Sequence, residues 1–291
     1  MERELWPLLY RTVREVARDF SQKYKQIPAW VLVLTMLWAA IHDRPVSWAC
    51  RAVNWSTTHL RPWRLPSAAT MSRRVDGIAT GWLWRAVEQR LREQSATQPA
   101  LAALLDGKSL LVGGATKDPD ARYGRAAGTW GKGYKLHTVW SMRAVPETWK
   151  ITPLNQSEKT VAATLFQQLS YGGYMLADGS YDSNALFDQA WKRGYQLVVP
   201  PPTKGTPGAG HHYQSPQRLR SIALMSSAFG ERLYKQRIAI EEAYGNATSF
   251  GGGLAPLPAW VRGLERVRTW VWAKLLINAV RILRNKDLRR D

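Results

Sequence analysis

Leu101-Ala102-Ala103-Leu104-Leu105 runs into Asp106, and Tyr174-Met175-Leu176-Ala177 runs into Asp178. Each run is short and almost wholly apolar, which reads as a strand buried in a sheet. A carboxylate at the end of such a strand costs free energy unless it is paired or holds a cation. If the two strands are sheet neighbours, the carboxylates project to the same edge. Either acid alone reads as a turn or cap residue, as the dipeptide Asp106-Gly107 illustrates. Together, in a chain so poor in acids, they read as a shared hard-cation site.

Outward from these runs, further apolar or alternating stretches over 109–112, 134–140, 149–154 and 196–199 predict strands. Helical spacing predicts helices over 157–169 and 183–193. The order gives a mixed α/β sheet, hairpins first and crossovers later. The Pro- and Gly-rich stretch 200–210 reads as a loop, and 259–284 as an amphipathic, Trp-rich final helix. Upstream, periodicity predicts helices over 2–26, 28–41, 46–53, 68–75 (with Ser67 as N-cap) and 81–93. The loop 95–99 marks a boundary between an all-α region, 1–99, and an α/β domain, 100–291. Residues 46–75 form a candidate helix-turn-helix presenting Ser72, Arg73 and Arg74, with an ordinary helical bundle as the alternative.

The composition narrows the function. Of 291 residues, 41 are Lys or Arg and 22 Asp or Glu, a formal charge of +19. Basic residues outnumber acids both before and after residue 100, so the charge is not a detachable tail. A hydrophobic content of 45% excludes wholesale disorder. A folded body with this charge points to a polyanion, and nucleic acid is the usual one. The single cysteine, Cys50, excludes a disulfide framework and fits a reducing compartment. The charged start Met1-Glu2-Arg3-Glu4-Leu5 lacks the apolar run of a signal peptide. The longest apolar stretch, 27–41, is interrupted by Pro28 and Thr35 and falls short of the ~20 residues a membrane span needs. A cytoplasmic protein with no membrane partner is expected. Core packing accounts for most of the 15 tryptophans, with Trp130 a candidate to stack on an unpaired base.

A third acid follows from Tyr234-Lys235-Gln236-Arg237-Ile238-Ala239-Ile240-Glu241. On a helix, Tyr234, Arg237 and Glu241 share one stripe. An i,i+4 salt bridge is the plain alternative, although Arg before Glu is its weaker order. Three carboxylates at one edge suit two divalent cations about 3.5–4 Å apart. Mg²⁺ prefers oxygen ligands and keeps several waters, so few carboxylates suffice.

The chain resembles the insertion-sequence DDE transposases of bacteria. The resemblance rests on Leu105-Asp106-Gly107-Lys108; on Lys117-Asp118-Pro119-Asp120-Ala121 leading to Lys132-Gly133-Tyr134-Lys135-Leu136-His137; on Leu176-Ala177-Asp178-Gly179-Ser180-Tyr181-Asp182-Ser183; and on Tyr234-x2-Arg237-x3-Glu241. The interval from Asp178 to Glu241 leaves no room for the large insertion domain of some relatives. The resemblance implies an RNase H-like mixed sheet with flanking helices, preceded by the all-α region. It implies that Asp106, Asp178 and Glu241 bind two Mg²⁺ ions, with Mn²⁺ able to substitute, and that Tyr234 and Arg237 lie near the site. It also implies cleavage at terminal inverted repeats, transfer of the freed 3′-hydroxyl to target DNA, and a homodimer that pairs the ends. Two departures stand out. Thr248 occupies a position where many members have Lys, and Gly179-Ser180 stands where members often have Lys-Gly. A nuclease that cuts without joining, and a DNA-binding protein that has lost catalysis, are the rival readings.

Other residues carry weaker expectations. Arg73, Arg74, Lys132, Lys135 and His137 are candidate DNA contacts, His137 reading equally as a satisfied strand histidine. Asp182 reads as a cap of the next helix with Ser183. Glu242 faces about 100° away from Glu241 on a helix and is the weaker ligand. Asp118 and Asp120 read as shaping a loop near the site. His211-His212 lacks a third ligand for zinc. Cys50 lacks the partners of a thiol nucleophile.

Overall fold

The structure, a computed structural model, describes residues 2–19, 26–95, 100–126, 128–141, 143–170, 172–201, 214–251, 253–254 and 256–288. The boundary loop beyond Ser95, most of the loop 200–210 and His211-His212 lie outside the described residues. In chain order the elements are helices α1 (Glu2–Arg18), α2 (Ala29–Ile41), α3 (Val46–Ala49), α4 (Ala68–Arg74) and α5 (Ile78–Gln94); strands β1 (Ala102–Leu111), β2 (Arg122–Ala126), β3 (Thr129–Trp140) and β4 (Thr148–Pro153); helix α6 (Glu158–Phe166); strand β5 (Gly173–Leu176); helix α7 (Asn184–Trp191); strand β6 (Tyr195–Val198); and helices α8 (Pro216–Met225), α9 (Ala228–Lys235), α10 (Ile238–Thr248) and α11 (Leu264–Asp287). They fall into two compact units. One comprises residues 1–96, 116–119 and 246–291, the other 97–115 and 120–245. Residues 246–291 thus pack with the N-terminal helices, whereas the sequence reading grouped them with the strands.

The first unit is built around α2, which is apolar on nearly every face and buried from Ala29 to Ala40 apart from Trp30. Pro28 precedes its first turn, where a missing N–H is harmless. Trp6, Trp38 and Trp55 form a packed cluster, with the Trp38 and Trp55 rings stacked 4.6 Å apart. Each indole N–H finds a carbonyl: Leu60, Asn54 and Ala49 respectively. These three tryptophans are core, as their spacing predicts. Lys274 of α11 is fully buried and donates to Asp43 Oδ1 (2.5 Å) and Ala40 O (2.6 Å), closing the end of α2. Residues 116–119 join this unit through Asp118, whose carboxylate accepts from the Gly263 N–H at 3.1 Å.

Some bounds differ from the sequence reading. The helix expected over 46–53 stops at Ala49 and resumes as a 3-10 turn, Ala52–Trp55. Residues 56–67 then carry no helix before α4, a far longer connection than the three- to four-residue turn of a helix-turn-helix. Ser67 does cap α4, accepting from the Thr70 N–H. The runs 101–105 and 109–112 are one strand, β1, continuous through Gly107.

The second unit is a six-stranded sheet with β2, β3, β1, β5 and β6 side by side and β4 also on β3. The pairs β2–β3, β3–β4 and β1–β3 are antiparallel, and β1–β5 and β5–β6 are parallel. One core of this unit joins Ala103 and Leu105 of β1 to α6, α7, β5 and β6. Alternation along β1 therefore turns Leu104, Asp106 and Lys108 to the opposite face.

Candidate active site

The β1–β5 register places Leu104 opposite Leu176. Asp106 and Asp178 each lie two residues beyond that pair, so they reach the same height at adjacent strand positions. Both keep one oxygen occupied locally. Asp106 Oδ1 accepts the Gly107 N–H at 2.7 Å, and Asp178 Oδ1 accepts the Ser180 N–H at 2.9 Å and its hydroxyl at 2.5 Å. The other oxygens converge: Asp106 Oδ2 and Asp178 Oδ2 each stand 3.9 Å from Arg237 Nη2. Glu241 Oε1 is 3.9 Å from Arg237 Nη1. The three carboxylates expected from the sequence are therefore gathered about one guanidinium.

The stretch 234–241 is not one helix. α9 ends at Lys235 and α10 begins at Ile238. Tight turns bridge the gap, with Arg237 N–H on Tyr234 O (2.9 Å) and Ile240 N–H on Arg237 O (3.0 Å). The i,i+4 relation of Arg237 to Glu241 survives because these turns keep helical sense.

Two tyrosine hydroxyls fix the backbone that carries the aspartates. Tyr234 donates to Ala177 O at 3.1 Å, immediately before Asp178. Tyr244 donates to the carbonyl of Asp106 at 3.1 Å and pairs with Thr138 Oγ1 at 2.6 Å. Lys108 lies over the Tyr244 ring, 5.5 Å from its centroid. Tyr244 stands three residues after Glu241 on the same helix, a spacing that puts it on the stripe facing the site.

Glu158 and Ser180 also belong to the site. The Ser180 hydroxyl bridges Asp178 Oδ1 and Glu158 Oε2, and Glu158 Oε1 takes the Lys135 ammonium at 2.5 Å. Burial pushes the Glu158 carboxyl up, but hydrogen bonds from Lys135 and Ser180 outweigh it and hold the group below its ordinary value. Nothing in local spacing distinguishes Glu158 from a first-turn helix acid.

The electrostatics separate Asp106 from its neighbours. Burial raises its carboxyl to about 6; the Gly107 N–H and Arg237 oppose this, and Asp178 and Glu158 add to it. At 3.9 Å the guanidinium is an ion-pair neighbour and not a hydrogen-bond donor. Arg237 Nε is itself buried with no partner among the described residues. One cation thus faces three carboxylates without satisfying them. The donor set is all oxygen and the local charge is negative, which fits hard divalent ions. As placed, no three His, Cys, Asp or Glu side chains among the described residues close on a single ion. Glu241 is the outlying member, its side chain 69% exposed and free to turn.

The other candidates are placed as follows. His137 is buried, its Nε2 2.9 Å from Thr152 Oγ1, and burial lowers it to about 4, so it is a neutral strand histidine away from solvent. Lys135 is buried on Glu158. Lys132 lies opposite Tyr123 in the β2–β3 ribbon. Arg73 is exposed and Arg74 half-buried on α4, in the other unit. Asp182 does not cap α7. It forms a two-point pair with Arg218 of α8, at 2.7 and 2.8 Å. The Cys50 thiol is pushed up to about 11 by burial, which makes it a poor nucleophile.

Residues 97–277 match the family described as a transposase DDE domain. Neither the curated proteins nor the solved structures gave a match. The family match spans well over half of the chain, and the chain belongs to that family.

Proposed function

We propose that this member of the transposase DDE family moves an insertion sequence, binding its terminal inverted repeats, cutting a strand at each end and joining the freed 3′-hydroxyl to target DNA. The observation that carries the reading is the meeting of Asp106, Asp178 and Glu241 about Arg237. The strand path β4-β3-β1-β5-β6, antiparallel then parallel, supports an RNase H-like domain. The helical region 1–99, with Arg73 and Arg74, is the proposed end-recognition part.

Asp106 and Asp178 would form the fixed pair of ligands, each oriented by a hydrogen bond to its other oxygen. Glu241 would complete the set by turning inward. Two Mg²⁺ ions, when bound, would lower the pKa of an attacking water or 3′-hydroxyl and stabilise the leaving oxygen. Arg237 stands beside all three carboxylates, and its planar fork would suit a phosphate. Tyr234 and Tyr244 hold the two strand ends in register.

The test uses duplexes carrying the inverted repeats that flank the gene. Asp106→Asn, Asp178→Asn and Glu241→Gln each abolish Mg²⁺-dependent cleavage while binding in EDTA persists. Near-normal cleavage by two of the three variants contradicts the assignment. Cleavage without joined product in the wild type would make the protein a nuclease.

A further inference from the structure

The β2–β3 ribbon carries an arrangement that the carboxylates do not explain. Tyr123 and Arg125 alternate on β2, and their cross-strand partners on β3 are Lys132 and Trp130. Alternation puts all four on one face of the ribbon, each aromatic opposite a cation. Trp130 is 70% exposed and Tyr123 59%, although indoles are ordinarily well buried. On the opposite face a Cβ at Gly131 would meet Leu111, and one at Gly124 would meet the backbone of Leu154.

Tyr123, Arg125 and Trp130 line a groove of about 530 Å³. Gly124, Leu154, Lys135, Glu158, Lys159 and Ser180 also line it, so it reaches the serine that touches Asp178. Glu158 is paired with Lys135, and the remaining charge along the groove is positive. Two flat aromatic faces interleaved with cations, in a polar channel, match the way unpaired nucleotides are held. Bases stack on the rings and the backbone follows the cations. A duplex hides its base faces and would use only the cations.

We infer that the Tyr123–Trp130 ribbon face binds a short unpaired segment of single-stranded DNA and leads it past Ser180 toward the carboxylates. This deepens the transposase reading and rests on it for the choice of DNA. The competing occupant is a second copy of this chain covering the exposed rings. The cations beside those rings, in a chain of +19, disfavour it.

The experiment uses the full chain in EDTA and a labelled single strand of about 12 nucleotides, within the site sizes of such grooves. The same strand with abasic positions and its duplex serve as comparisons. Trp130→Ala and Tyr123→Ala each weaken single-strand binding roughly tenfold or more, as loss of one stacked base requires. Trp130→Phe restores most of the affinity, wild type binds the abasic strand more weakly than Trp130→Ala binds the intact one, and duplex binding is unchanged. The inference is overturned by unchanged single-strand affinity in both alanine variants, by equal loss on duplex, or by a change of mass in light scattering for Trp130→Ala. Asp178→Asn separates this from the parent reading: its cleavage depends on the carboxylates, whereas its single-strand binding in EDTA should match wild type.

Discussion

Asp106 and His137 lie on neighbouring strands and are displaced in opposite directions. His137 moves from an ordinary 6.5 to about 4 because burial opposes its charge. Between those values the unfolded chain binds a proton that the folded chain refuses, so this contribution is complete above pH 6.5 and is lost as pH falls toward 4. Asp106 moves from 3.8 to about 6, again by burial first. Its contribution is complete below pH 3.8 and is lost as pH rises through 6. Each displacement corresponds to roughly 3 kcal/mol. The two nearly cancel in the shared window, and single substitutions should expose them. In EDTA, Asp106→Asn should stabilise the protein against urea by roughly 2 kcal/mol at pH 7.5, the gain vanishing by pH 4. His137→Gln should gain stability relative to wild type as pH falls from 7 to 4.5. Parallel pH curves for wild type and both variants would show that neither group is displaced. The tyrosines are expected to act through position. Tyr234→Phe removes one hydrogen bond to the backbone before Asp178, about 1 kcal/mol of stability, and Tyr244→Phe costs more because it also strips the buried Thr138 hydroxyl. They should lower cleavage more than Mn²⁺ affinity; loss of Mn²⁺ affinity as great as in Asp178→Asn would make them more than positioning residues.

At the level of elements, α8 is tied to the segment after β5 by Arg218 and Asp182, both largely buried. Arg218→Ala leaves that carboxylate without its donor and should cost roughly 1.5–3 kcal/mol, whereas Arg218→Ala with Asp182→Ala should recover part of it. Strictly additive losses in urea denaturation would deny the coupling. The same elements show what the sequence carried. The apolar runs before Asp106 and Asp178 exposed β1 and β5, because a strand buried on both faces has no polar positions to disguise it. Their meeting depended on the two strands being neighbours, which the β1–β5 pairing supplies. β2 was missed because Arg122, Tyr123, Gly124 and Arg125 give no apolar alternation; its partner strand, not its own burial, makes it a strand. The break between α9 and α10 left no mark, since neither Gly nor Pro stands at 236–237. Asp182 looked like a cap because its distant partner Arg218 is invisible to local spacing.

Over the whole molecule, the charge of +19 sets the terms on which DNA is met. Binding through phosphate contacts releases counterions, so affinity for end DNA should fall steeply and linearly on a log–log plot against salt. A slope near zero would contradict a phosphate-dominated interface. No helix among the described residues is long and apolar enough to cross a membrane. The chain visits its two compact units in alternation, with residues 116–119 and 246–291 returning to the helical one. No periodicity announces such a return. Thr116 and Asp118 achieve it through Arg262 and Gly263, contacts between positions far apart in the chain. Titration calorimetry of Mn²⁺ into the DNA-free protein and its three carboxylate variants probes the site without any knowledge of the element's ends. Binding in the wild type, weakened at least tenfold in Asp106→Asn, Asp178→Asn and Glu241→Gln alike, is the predicted result; unchanged affinity and stoichiometry in all three would contradict it.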